Sequence, residues 1–476
     1  MSRQEVHVIF PGRIVMIGFG SIGQGILPLI LRHIGTSSDR ITIVTAEDAG
    51  QTEAAEFGVK FVKTALTQAN YRQMLEPLLR DGDFLLNLSV DVSSTALLEL
   101  ARDRGALYLD TCIEPWAGGY TDPNMSVETR SNYSMRLRAL RLRGKFADAP
   151  TAVLTHGANP GLVSHLVKQA LVNIAADTGV DAGVDAGIPT SRAAWAELAR
   201  TLGIKVIHIA ERDTQVADTP KQPNEFVNTW SVDGFVSEGA QPAELGWGTH
   251  ERHFPADGAR HKDGSGCAIY LNRPGAGTQV RTWTPAAGPF HGFLITHSEA
   301  ISLADYYTVM EGDRVAYRPT SHYAYHPSDS TVLSVHEFAG RNWHIQDRKR
   351  IMMKEITQGM DELGVLLAGH KKNAYWYGSQ LSIAEARKLA PYNSATSLQV
   401  TSAALAGMIW AMENPRRGIV EPDDMDYRRP LEICRPYLGP VVGRYTEWTP
   451  LFQRGELFAE DLDTADPWQF KNVRVV

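Results

Sequence analysis

Apolar residues along this chain fall into two textures. Arg13-Ile14-Val15-Met16-Ile17 is a short β-branched run that ends in Gly18-Phe19-Gly20-Ser21-Ile22-Gly23, and residues 24–34 then repeat apolar positions at helical spacing. A short apolar run bounded by glycine reads as a buried strand, and 3.6-residue spacing reads as a helix. The alternation continues, with strands expected at 40–45, 61–62, 83–90, 106–110 and 151–155 and helices at 95–104 and 162–174. Residues 91–94 can cap the helix at 95–104 and Gly105 can end it, while Pro28 should disturb the first helix. Asn159 suits the N-cap of the helix from 162, with Pro160 at its first position. Strands alternating with helices place the strands in a parallel, doubly wound sheet of Rossmann type.

Beyond residue 178 the texture changes. A short duplication at 179–182 and 183–186 reads as a surface loop, and a helix is expected at 191–202. Segments 204–210, 225–236, 267–271, 278–284 and 293–297 read as strands of a more antiparallel sheet, and 343–367 as helical. His322 and His326 have one-turn spacing, but Tyr323-Ala324-Tyr325 between them and Pro327 after argue against a helix, so no metal pair is expected. Met352 and Met353 are expected in the core. Residues 394–412 form a small-residue apolar helix ended by Asn414-Pro415, placed to return over the first domain. The organisation expected is a dinucleotide-binding domain over 1–160 plus about 391–426, a mixed α+β substrate and dimerisation domain over 161–390, and a strap over 427–476.

The glycine turn adds chemistry. Gly18 makes the turn, Gly20 lets the backbone approach a pyrophosphate, and Gly23 allows close helix packing, with Ser21 and Ile22 opening the helix. The helix N-terminus offers free N–H groups and a positive dipole end. In such sheets the ligand lies beyond the strand carboxyl ends. That rule selects Asn87, Ser89, Asp110, Thr111, Glu114 and Gly157. An acidic residue after the second strand usually receives the ribose; here Thr45 holds that place, with Glu47 and Asp48 just beyond, which argues for NAD over a 2′-phosphate.

Composition narrows the partners. The chain has 476 residues and a net charge of −7, so no basic footprint for nucleic acid is present. Cys112, Cys267 and Cys434 have neither metal-ligand nor disulfide spacing, and the first residues lack a signal-peptide pattern. A cytoplasmic, non-membrane protein is expected.

Gly18 to Gly23, Asn87-Leu88-Ser89, His156-Gly157-Ala158-Asn159-Pro160-Gly161 and the closing segment 394–424 together resemble the saccharopine dehydrogenase-like family. Along its full length the chain is similar to the homospermidine-forming branch of that family. The resemblance implies an NAD-dependent cytoplasmic homodimer that joins two putrescine molecules, releases ammonia and leaves NAD unchanged overall. A diamine carries two ammonium groups on an apolar spacer, so its site needs carboxylates and an aromatic wall. Glu211 and Glu238 are the candidates for ammonium recognition, one of them assisting deprotonation. Trp230 would steer the cation, His297 would carry a proton, and Glu114 and Asn159 would lie at the nucleotide side. A saccharopine dehydrogenase-like or carboxynorspermidine-forming NAD(P)-dependent reductase, and a nucleotide-binding regulatory subunit, are the alternatives; a reductase would need Arg or Lys where Glu211 and Glu238 stand.

Overall fold

The computed structural model describes residues 5–180 and 188–476, so most of the duplicated segment lies outside the described residues. The first sheet is parallel throughout, in the order Ile419–Val420, Ala152–Val153, Leu107–Asp110, Phe84–Asn87, Ile14–Ile17, Ile41–Thr45, Lys60–Lys63. The chain runs outward from Ile14–Ile17 in one direction, then restarts beside it at Phe84–Asn87. That reversal opens a crevice beyond the carboxyl ends of these two strands, the usual ligand position in open parallel sheets. All four residues of each strand are buried, as expected when helices cover both faces.

One covering layer is helix Ser21–His33 with helix Ala395–Glu413; the other is helix Ser94–Arg104 with helix Asn132–Leu140. Helix Ala395–Glu413 is buried on all sides, because it lies between the first sheet and the second. Its small residues permit close approach: at Gly407 a Cβ would stand 2.7 Å from Leu109 and 2.9 Å from His156. Pro28 sits inside helix Ser21–His33 without ending it.

The second sheet has ten strands and mixed direction. Its central path runs Pro242–Gly246, Thr320–His326, Val206–Asp213, Met360–His370, Asn373–Ser382, Val441–Thr446. Thr320–His326 and Val206–Asp213 are parallel, and the pairings on either side are antiparallel. The tail beyond Tyr427 is therefore partly a sheet edge.

Four local expectations differ from this structure. The segment 343–367 is not helical; it contains strands Arg348–Ile351 and Ile356–Gln358 and the start of Met360–His370. That last strand is buried on both faces, so its sequence is a continuous apolar run whose period resembles a buried helix. The strand expected over 225–236 stops at Asn228. Ser231 then caps helix Val232–Ala240, its Oγ accepting from Gly234 N at 3.0 Å, and Glu238 is on that helix. The strand expected at 293–297 is instead Gly288–Phe293, and His297 is the N-cap position of helix Ser298–Tyr306. The helix from Leu162 is capped by Gly161, not Asn159. Gly161 has φ +124°, and a Cβ there would stand 2.2 Å from the Gly157 carbonyl oxygen, so this turn requires glycine.

Candidate functional site

The crevice deepens into a cavity where the two sheets meet. Ile22, Ser89, Thr111, Glu114, Gly157 and Asn159 approach from the first sheet, and Glu211, Trp230, Glu238 and His297 from the second. Cys112, Tyr323 and Thr396 also line it.

The nucleotide end is set by the glycine turn. Gly18 has φ +84°, and a Cβ there would fall 2.8 Å from the Leu88 carbonyl oxygen. At Gly20 a Cβ would meet nothing within 4 Å. The space over Gly20 is open in front of a helix N-terminus with no acidic side chain in its first turn, and the buried Ser21 hydroxyl has no hydrogen-bond partner. This donor set fits a pyrophosphate. Gly23 packs tightly, a Cβ there lying 2.9 Å from the Phe19 ring. Thr45 is buried, whereas Glu47 and Asp48 are exposed and Asp48 pairs with Lys63 at 2.5 Å.

Asn87 and Asp110 do not line the cavity. Asn87 accepts from Ser89 N and Oγ at 3.2 and 2.5 Å, and Asp110 accepts from Thr155 N at 2.6 Å and Tyr108 OH at 2.8 Å. Both are buried supports for the turns that carry Ser89 and Gly157, and burial pushes Asp110 up to about 6.

The reacting end is acidic. Glu211 Oε2 accepts from Asn159 Nδ2 at 2.8 Å and from Tyr323 OH at 2.6 Å. Asn159, released from helix capping by Gly161, thus joins the first domain to Glu211 of the second. Burial raises the Glu211 carboxyl to about 7, with Asp213 pushing the same way and the two donors resisting. Glu114 is raised to about 8, chiefly by burial, with Glu238 and Asp91 adding. Trp230 is half-buried, its Nε1–H directed at Tyr325 OH 3.3 Å away.

His297 lies between two carboxylates. Its Nε2 is 2.9 Å from Glu238 Oε2 and its Nδ1 is 3.2 Å from Glu299 Oε1, and the ring stacks on Tyr323 at 4.5 Å. Burial alone would lower its pKa, but Glu238 and Glu299 outweigh it and raise the imidazole to about 10. At neutral pH His297 is therefore a cation, a proton donor and not a free base. Glu299 was within reach of sequence reasoning, two residues after His297. Tyr323, Cys112 and Thr396 carried no distinguishing signal.

No Lys or Arg lines this cavity among the described residues, and no metal-binding cluster occurs among them. A carboxyl-lined, aromatic-walled chamber can hold a cationic amine, take a proton from it, and present its carbon to a nucleotide on the glycine turn.

Comparisons with known proteins place the chain in a family. Residues 14–154 match the family described as saccharopine dehydrogenase NADP binding domain, and residues 157–446 that described as saccharopine dehydrogenase C-terminal domain. The fold and site are thus of the saccharopine dehydrogenase class. Homospermidine synthase of Blastochloris viridis is 57% identical over all of both chains. That of Mesorhizobium japonicum is 53% identical, over 98% of this chain and 96% of the relative. A solved homospermidine synthase from Legionella pneumophila, in complex with NAD, superposes with a TM-score of 0.91 at 49% identity, covering 98% of each chain. The chain belongs to the homospermidine synthase family. A saccharopine dehydrogenase from Saccharomyces cerevisiae, 10% identical with a TM-score of 0.52 over 91% of this chain and all of its own, shares the fold alone.

Proposed function

We propose that this protein is a homospermidine synthase, which joins two putrescine molecules into homospermidine and releases one ammonia, using NAD as a bound cofactor. The observation that carries the reading is the cavity's lining: the carboxyls of Glu114, Glu211 and Glu238 with Trp230, no Lys or Arg among the described lining residues, and a His297 cation already paired with Glu238 and Glu299. A reductase acting on amino-acid substrates would need unpaired cations there to receive carboxylates. NAD, when bound at the glycine turn, supplies the acceptance and return of a hydride.

The chain's own groups manage protons and position. An amine must lose its proton before its carbon can give up hydride, and a carboxylate held at about 7 is matched to that task at neutral pH. Glu211 takes that proton. Asn159 and Tyr323 hold its Oε2 in place. Glu238 holds the second ammonium, and the His297 cation between Glu238 and Glu299 returns a proton when ammonia leaves. The Trp230 face receives the cationic intermediate, an attraction of about 0.5–2 kcal/mol depending on desolvation. Ser21, Gly20 and the backbone of the glycine turn hold the phosphates, and Glu47 or Asp48 the ribose. The working unit is a homodimer in the cytoplasm, and among the described residues no helix is long and apolar enough to cross a membrane.

The test is to incubate the protein with putrescine and NAD⁺ while following the absorbance of NADH. Homospermidine accumulation with no sustained NADH supports the reading. Steady NADH change with an amino acid and a keto acid or aldehyde, without amine coupling, refutes it in favour of the reductase.

A further inference from the structure

Behind Glu211 stand two more carboxyls. Glu211 and Asp213 lie two residues apart on strand Val206–Asp213, and Asp361 of the antiparallel strand Met360–His370 is paired directly with Asp213. Residues two apart share a face, and diagonal neighbours across a ladder lie about 7–8 Å apart, within reach of long side chains. Asp361 is therefore the diagonal neighbour of Glu211.

The three differ in how they are satisfied. Asp213 accepts from Gln215 N at 2.8 Å, Gln215 Nε2 at 3.1 Å and Thr229 Oγ1 at 2.8 Å. Glu211 has its two donors. Asp361 is wholly buried, and neither of its oxygens has a hydrogen-bond partner. Among the described residues no Lys, Arg or His pairs with it, and it does not line the cavity, so no substrate ammonium can reach it. An isolated carboxylate in such a place neutralises by taking up a proton.

Resting on the reading of Glu211 as the base, we infer that Asp361 is held as a neutral carboxylic acid whose O–H donates to Glu211, making Asp361 a positioning residue for that carboxylate. Every element facing the pair is consistent with this. Asp213 on the same strand adds negative charge; Tyr323 and Tyr325 on Thr320–His326 and Thr396 on helix Ala395–Glu413 are neutral; Trp230 contributes only its indole. Two cations lie nearby. Arg212, between Glu211 and Asp213 on the strand, alternates to the opposite face, where it pairs with Asp329 at 3.1 Å, though its charge still favours ionised Asp213. His297 lies behind the Tyr323 ring and is already paired with two carboxylates. Burial with the charges of Glu211 and Asp213 drives Asp361 far above the usual carboxylate range. Glu211, with two donors where Asp361 has none, ionises before Asp361.

The primary measurement is infrared spectroscopy of the NAD-loaded protein at pH 8, taken as the difference between wild type and Asp361→Asn so that Glu114, itself raised to about 8, cancels. The expected result is a protonated-carboxylic-acid C=O band in the wild-type-minus-variant difference. A difference spectrum with no such band, or with a carboxylate band in its place, overturns the inference. This readout needs no turnover, so a failure of the amine-coupling reading would show separately, as an intact band in a protein that forms no homospermidine. The second measurement is the pH profile of kcat/KM. Asn, a neutral donor, should leave the acid limb in place, whereas Asp361→Leu, lacking a donor, should move it up by about one pH unit and cost about fivefold in kcat/KM at pH 7. An equal displacement in Asn and Leu variants would show that an ionised Asp361 is needed and would overturn the inference. Should the Leu variant not fold, the infrared comparison still decides.

Discussion

Glu211→Gln removes one charge from the site while leaving its geometry nearly intact. Both donors to this side chain, Asn159 Nδ2 and Tyr323 OH, meet the same atom, Oε2, so an amide oxygen can replace it. The variant should fold and bind NAD like the parent. Its chemistry should not survive. A positioned general base contributes about 10²–10⁴-fold, so kcat/KM for putrescine should fall by at least about 100-fold. The wild-type pH profile carries a second signature. Glu211 is active when ionised and its pKa is raised to about 7, so activity is lost as pH falls through that value. At pH 6 roughly one molecule in eleven has the carboxylate, which predicts about a tenfold drop from the plateau. Putrescine's own protonation affects both proteins equally, so subtracting the two profiles isolates Glu211. The assay is homospermidine formation from pH 5.5 to 9 at saturating NAD⁺. A Gln variant that keeps a third of the activity, or one that shows the same limb near pH 7, would refute the assignment.

Trp230→Ala should raise KM for putrescine by about 2- to 30-fold, corresponding to about 0.5–2 kcal/mol, while Trp230→Phe should lose less; steady-state kinetics at fixed NAD⁺ check this. Gly20→Ala should weaken NAD binding in calorimetry without lowering Tm, because a Cβ there meets nothing in the chain; Gly18→Ala should lower Tm, because it meets the Leu88 backbone at a positive φ. In Glu238→Gln, the His297 titration followed by NMR should fall below about 10, because one of its two carboxylates is gone. Its raised pKa also means that His297 contributes stability fully below about 6.5, the unfolded value, and loses it as pH rises toward about 10. Glu238→Gln should therefore flatten that slope in Tm between pH 7 and 9.5.

The parallel sheet was legible in the sequence because its strands and helices have separate periods and are punctuated by glycine and capping residues. Gly18, Gly105 and Ser394 occupy a turn, a helix end and a helix cap in the structure. The second sheet was less legible for a physical reason. Strand Met360–His370 is buried on both faces and loses the alternation that would mark it, so 343–367 reads as a helix. Glu238 and Trp230 were identifiable as residues, but their placement depended on the turn at Ser231, whose capping signature lay unused. Asn87 and Asp110 were drawn to the nucleotide by their position at strand ends, whereas their carboxamide and carboxylate turn inward to backbone and Tyr108. Tyr323 and Asp361 are distant in sequence from Glu211 and meet it only through strand pairing, which no local pattern encodes.

The central claim is that NAD lends a hydride and takes it back within one turnover. It is tested most directly by supplying putrescine in large excess over a substoichiometric amount of NAD⁺ and quantifying amines, ammonia and NADH together. The account predicts homospermidine and ammonia in equal amounts, many turnovers for each NAD, and no accumulated NADH. Product formation that stops when NAD⁺ has been converted to NADH would contradict it.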